Sequence, residues 1–199
     1  YMVGLSTLLS VALGLPIGVS LFKNQQTQFK RRTWLFWPLN GLVNCTRSVP
    51  FIILMIALLP LTRVLLGTSI GNTAAIVPLS IAATPFFARI TENALKNSQL
   101  GLIEASLAFG ATTKQIIWKI LLPECAPDLV RGLTLTLITL IGYSAMAGAV
   151  GAGGLGNYAI QYGYQRFDTQ IILATVVVLI VLVQCIQWLG NSIAKKLTH

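Results

Sequence analysis

Residues 2–22 read MVGLSTLLSVALGLPIGVSLF, a run without a charged side chain. At roughly 1.5 Å per helical residue, such a run crosses about 30 Å of bilayer hydrocarbon. It is predicted to be a membrane span, bent or tightly packed at Gly14, Pro16 and Gly18. Lys23, Lys30, Arg31 and Arg32 follow with no acid among them. Basic loops stay on the cytoplasmic side, so the N-terminus is expected outside, with Trp34 and Trp37 in an interfacial belt.

Working outward from this run, a second span is expected from Leu39 or Val49 to Leu66, its start left open by Pro50 and Pro60. Arg47 lies near its inner end and Arg63 near its outer end. Gly67 to Asn72 reads as an outer turn and Thr73 to Ala88 as a third span ending inside at Arg89. Leu129 to Val150 forms a fourth, Gly151 to Asp168 an outer Gly- and Tyr-rich segment, and Thr169 to Leu189 a fifth, with Lys195 and Lys196 inside. The prediction is an all-α integral membrane protein: one domain over residues 1–199, five transmembrane helices, N-terminus out and C-terminus in.

Composition agrees. The 199 residues are 55% hydrophobic and 10% charged, with a mean hydropathy of +0.76, whereas a soluble domain carries about 25% charged residues. Fourteen Lys and Arg against five Asp and Glu give a net charge of +9. Because the basic residues sit between apolar runs, that excess reads as membrane topology and not as a nucleic-acid surface. Cys45, Cys125 and Cys185 lie far apart, and the one histidine is His199, so neither a disulfide framework nor a metal site is expected. No cleavable signal is visible, and because the chain opens on Tyr1, part of a natural N-terminus is expected ahead of it.

Between the third and fourth spans, residues 89–128 are mixed and amphipathic, holding Glu92, Lys96, Glu104, Lys114, Lys119 and Glu124. The pattern predicts two short helices folded at a corner. Gly110 suits the left-handed cap of the first, and Thr112 or Thr113 the hydroxyl cap of the second. Ile116, Ile117, Ile120 and Leu121 form one stripe that can lie against the membrane domain until Pro123 stops the helix. Ala105, Ser106 and Ala108 are small enough to let another protein approach closely; the bland alternative is a helix pair resting on lipid headgroups.

At these residues the chain resembles the permeases of binding-protein-dependent ABC importers, whose cytoplasmic signature is EAA, three residues, Gly, nine residues, Ile-x-Leu-Pro. Glu104, Ala105, Gly110, Ile120, Leu122 and Pro123 fill it, with Ser106 in place of the second Ala. Arg47-Ser48-Val49-Pro50-Phe51, Gly67-Thr68-Ser69-Ile70-Gly71 and Gly142-Tyr143-Ser144-Ala145-Met146 are similar to the methionine-importer permeases in particular. The resemblance implies that this loop docks into a separate ATP-binding subunit and conveys its closure to the spans. It further implies a bacterial inner-membrane homodimer, two ATPase subunits that carry ATP and Mg, and an extracytoplasmic substrate-binding protein.

Gly151-Ala152-Gly153-Gly154-Leu155-Gly156 matches GxGxxG, but no acid stands about 20 residues later, so a dinucleotide site is not expected. Ala145, Ala149 and Gly153, and likewise Ser144, Gly148, Ala152 and Gly156, recur every fourth residue, a spacing that lets helices approach. This ladder is expected to face a second copy. Ser144, Met146 and Gly148 are the pathway or gate candidates, Met146 being the one bulky side chain between Ala145 and Val150, with ordinary packing as its alternative.

The sequence lacks GxxxxGK followed by Ser or Thr, so the chain is expected not to cradle ATP phosphates. Ser144 has no His or Lys neighbour in sequence to act as a base, so no enzyme activity and no bound cofactor are expected. Spans one, four and five hold no ionisable residue away from their ends, which argues against proton coupling. The resulting expectation is a methionine-importer permease. The alternatives are an importer of another small amino acid or sulfur compound, or an ion-coupled secondary carrier.

Overall fold

A computed structural model describes residues 1–26, 36–97 and 100–198. Lys30, Arg31, Arg32, Trp34 and His199 lie outside the described residues. Ten α-helices occur among them: α1 (Met2–Gln25), α2 (Phe36–Ser48), α3 (Phe51–Leu66), α4 (Asn72–Asn97), α5 (Leu100–Ala108), α6 (Thr113–Gln115), α7 (Leu122–Glu124), α8 (Ala126–Gly148), α9 (Gly154–Tyr158) and α10 (Thr169–Leu197). Two π-helical segments, π1 (Ile116–Leu121) and π2 (Ala159–Tyr164), join α6 to α7 and follow α9. Helices α1, α4, α8 and α10 are long and apolar enough to cross a membrane, and α2 with α3 makes a fifth crossing if that bent pair is one span.

The most extensive contact in the fold is α1 on α4. Lipid provides no hydrophobic force between helices, so close backbone packing must hold them together. Gly14 and Gly18 supply it. A Cβ at Gly14 would stand 2.9 Å from the Thr84 carbonyl oxygen, and one at Gly18 would stand 2.6 Å from Thr91 Cβ. Along the same seam the Ser10 hydroxyl donates to the carbonyls of Ser6 at 2.6 Å and Ser80 at 3.4 Å. Two apolar cores close the opposite ends of the pair. One gathers Phe22, Leu95, Ile103, Ile116 and Leu121; the other gathers Met2, Phe51, Met55, Leu79 and Leu140, with Phe51 stacked on Tyr143 at 4.4 Å.

The second span differs from a straight crossing, because α2 and α3 meet at 115° across Val49 and Pro50. A residue before proline is driven out of the α region, and Pro50 then caps α3. By contrast Pro16, Pro60, Pro78 and Pro85 all sit inside continuous helices.

The helix of the third span does not end at Arg89. Helix α4 runs on to Asn97, because Arg89, Glu92 and Lys96 stand three and four residues apart and neutralise one another on one face. Glu92 is fully buried, with Arg89 Nη1 at 2.5 Å and Lys96 Nζ at 2.7 Å from its two oxygens. Pro123 does not stop the second short helix either. The wide turns of π1 let Leu122 N–H reach the Ile117 carbonyl, and Pro123 then falls in the first turn of α7, where a missing N–H costs nothing. At the far end, the Asp168 carboxylate accepts from Gln170 N–H at 3.0 Å and Ile171 N–H at 3.3 Å, starting α10, which passes Leu189 and takes in Lys195 and Lys196.

Gly18→Leu should lower stability by about 1–3 kcal/mol through overpacking, seen as a lower melting temperature in detergent. Gly4→Leu, on the same helix but with open space around it, should melt like the unmodified protein.

Candidate functional site

The loop between α4 and α8 is built by local rules that fix its shape. Helix α5 ends in paired bonds: Ala111 N–H donates to the Ser106 carbonyl at 3.0 Å and Gly110 N–H to the Leu107 carbonyl at 2.9 Å. This closure requires a left-handed residue, and Gly110 adopts φ 78°. Thr112 then starts α6. Its hydroxyl accepts from Gln115 N–H at 3.4 Å while Gln115 Oε1 accepts from Thr112 N–H at 2.9 Å, a reciprocal cap.

The inner side of this corner is bolted to two spans. Ile103 of α5 and Ile116, Ile117 and Leu121 of π1 pack with Val19 and Phe22 at the end of α1 and with Ala94 and Leu95 at the end of α4. Cys125 Sγ donates to the Ala94 carbonyl at 3.1 Å. Ile120 and Leu122 are half-buried and Pro123 is exposed. The outer side presents Glu104, Ala105, Leu107, Ala108 and Phe109, the last 92% exposed. Ser106 does not belong to that face. It is turned inward, its hydroxyl donating to the Leu102 carbonyl at 2.6 Å, because it lies one turn from buried Ile103 on the same side of α5.

The small-residue ladder is not the face expected from its spacing. Helix α8 stops at Gly148, and Gly151, Gly153 and Gly154 take positive φ, so the positions from 144 to 156 do not share one helix. The chain instead folds back on itself: Gly156 lies on the Ala145 backbone and Gly148 on Asn157. The closest approach is therefore made within this chain. The gate candidates separate accordingly. Gly148 is enclosed, the half-buried Ser144 donates its hydroxyl to the Ile141 carbonyl of its own helix at 2.8 Å, and Met146 faces outward at 48% exposure. No strand precedes the GxGxxG run among the described residues.

A polar cluster that the sequence reading did not assemble joins α2 to α4. Arg89 Nη2 donates to the side-chain oxygens of Asn40 and, at 2.7 Å, of Asn44, while Nη1 holds Glu92. The available signal was the spacing of Asn40 and Asn44, four residues apart on one helix face. Among the described residues no three His, Cys, Asp or Glu side chains are grouped so as to hold a metal ion.

The chain is similar to known proteins along its whole length. Residues 11–199 match the family described as binding-protein-dependent transport system inner membrane component. The chain is 49% identical to the probable D-methionine transport system permease protein MetI of Vibrio cholerae, covering all of this chain and 88% of that one. It is 48% identical to the corresponding protein of Pasteurella multocida, again over the whole chain and 92% of the relative. Its fold matches a chain of the inward-facing MetNI methionine ABC transporter with a TM-score of 0.96 and 48% identity, over 100% of this chain and 92% of that one. With a capped corner anchored on two spans and these likenesses along its length, the chain belongs to the binding-protein-dependent inner-membrane transport components, the permease subunits of ABC importers.

Proposed function

We propose that two copies of this chain form the pathway of a methionine importer driven by two separate ATPase subunits, which bind ATP and Mg. The N-terminus lies outside and the C-terminus inside, and an extracytoplasmic binding protein delivers substrate. The observation that carries this reading is the corner at Gly110: rigid by its own caps, packed on the ends of α1 and α4, and exposing Glu104, Ala105, Ala108 and Phe109 away from the spans. A surface of that kind can transmit a push, because packed cores shift between discrete arrangements and do not deform continuously. Glu104 offers a carboxylate to a basic side chain of the ATPase, and Phe109 an aromatic anchor. Methionine as the cargo is supported by the relatives of Vibrio cholerae and Pasteurella multocida. ATP-dependent uptake in proteoliposomes, with a panel of amino acids, tests it; methionine excluded while another amino acid enters would overturn the substrate assignment.

Glu104→Lys and Gly110→Val should each abolish substrate-stimulated ATP hydrolysis and uptake while the membrane domain still folds. The valine must take a left-handed backbone that costs about 1–2 kcal/mol or more. Normal uptake in both variants would remove the docking role.

Met146, exposed on α8, closes the pathway against its counterpart in this reading. Because it is half-exposed in one chain, Met146→Ala should cost less than about 2 kcal/mol, the low end for buried methionine, while ATP hydrolysis without substrate rises. A variant that melts much earlier yet hydrolyses ATP at the normal basal rate would make Met146 a packing residue.

In a background without Cys45, Cys125 and Cys185, cysteines at Gly142 or Met146, both exposed on α8, should crosslink two copies. Crosslinks at Val177 of α10 and none on α8 would place the dimer axis elsewhere.

A further inference from the structure

The interhelical bonds of Arg89 have no role in the docking corner or the gate, yet they join the elbow helix α2 to the span that carries the corner. The guanidinium is divided between two tasks. Nη1 is held at 2.5 Å by Glu92, whose other oxygen is held by Lys96, so the carboxylate fixes the fork on its own helix. Nη2 then reaches across to Asn40 and Asn44. Arginine suits this position because its planar fork stays charged and serves several acceptors at once.

Apolar packing between α2 and its neighbours is sparse. An open groove of about 260 Å³ lies among α1, α2 and α4, bordered by Leu13, Ile17, Leu39, Leu42 and Ser80. Among the described residues, Val43 is the α2 hydrophobic side chain that is buried. With the groove open and Val43 the buried apolar contact, the polar clamp is the directional link between α2 and α4. One turn beyond Glu92, Ala94 and Leu95 lock α4 to α5 and π1. A continuous route thus runs from the corner through α4 and Arg89 to α2, and on to α3 through the bend at Pro50.

We propose that Arg89 is a positioning residue for coupling: by binding Asn40 and Asn44 it makes α2 travel with α4, so that displacement of the corner reaches the bent α2–α3 pair. This rests on the importer reading above.

The test is Asn40→Ala combined with Asn44→Ala, which removes the interhelical acceptors and leaves Arg89, the buried Glu92 and Lys96 intact. In proteoliposomes holding the complete complex with its ATPase and binding protein, methionine imported per ATP hydrolysed should fall about tenfold, within the usual range of coupling between sites. Hydrolysis and melting temperature should stay near those of the unmodified complex. Asn40→Ala combined with Asn44→Asp, which returns one acceptor, should recover most of the ratio. An unchanged ratio in the double alanine variant overturns the proposal, as does a loss of uptake that only follows a lower melting temperature or yield of complex. If the double alanine variant does not assemble, the single Asn44→Ala variant is read by the same ratio and decides in the same way. Absence of ATP-dependent methionine uptake in the unmodified complex would instead be a failure of the importer reading.

Discussion

The backbone-to-backbone contact of α1 with α4 is the constraint from which the rest of the structure follows. Between two helices in lipid, apolar side chains gain little by touching each other over touching acyl chains, so association depends on van der Waals fit and interhelical hydrogen bonds. Gly14 and Gly18 remove the side chains that would hold the helices apart. Once they meet, the seryl hydroxyls of α1 reach carbonyls of α4. Other crossings use the same device: Gly132 of α8 accommodates Ile90 of α4, and Gly190 of α10 accommodates Thr134 of α8. The small residues are thus spent on holding one chain together, while large apolar side chains such as Ile53, Val64 and Val177 are left on its outside.

The α1–α4 pair also sets where the docking corner stands. Both helices end at one apolar cluster, and α5 and π1 are packed onto that cluster. Their stability is therefore tertiary, as expected for helices of nine and six residues, too short to persist alone. Caps do the remaining work by fixing the turn at Gly110 and Thr112, so the exposed face keeps one orientation relative to the spans.

Much of this was legible from residue patterns. Uncharged runs locate α1, α8 and α10, and the signature around Glu104 and Gly110 locates the corner, because both depend on neighbours in sequence. What could not be read depends on partners far along the chain. The third span is read to Arg89 and the fifth to Leu189, whereas helix α4 continues to Asn97 and α10 to Leu197. In α4 a buried carboxylate flanked by two cations of its own helix can continue inward. The ladder from Ser144 to Gly156 was read as one helical stripe, but regular spacing carries meaning only while the backbone stays helical, and three glycines with positive φ end that. Similarly Ser106 counts as a small residue in the signature, while its direction depends on Ile103 lying three positions earlier against the core.

The prolines sharpen the same distinction. Five of them, at 16, 50, 60, 78 and 85, fall within or beside apolar runs, yet only Pro50 marks a sharp bend between helices. A proline inside a helix removes one hydrogen bond and crowds the preceding turn, costing about 3 kcal/mol, which surrounding helices can offset when both flanks are packed. Pro78 and Pro85 are buried in α4, itself packed against α1, α3 and α8. At Pro50 the flanking segments have different attachments: α2 is tied to α4 by the asparagine clamp, whereas Phe51 and Met55 of α3 enter the core at the opposite end of α1. A straight helix could not satisfy both anchors, so the chain bends where the residue before proline already resists the α conformation.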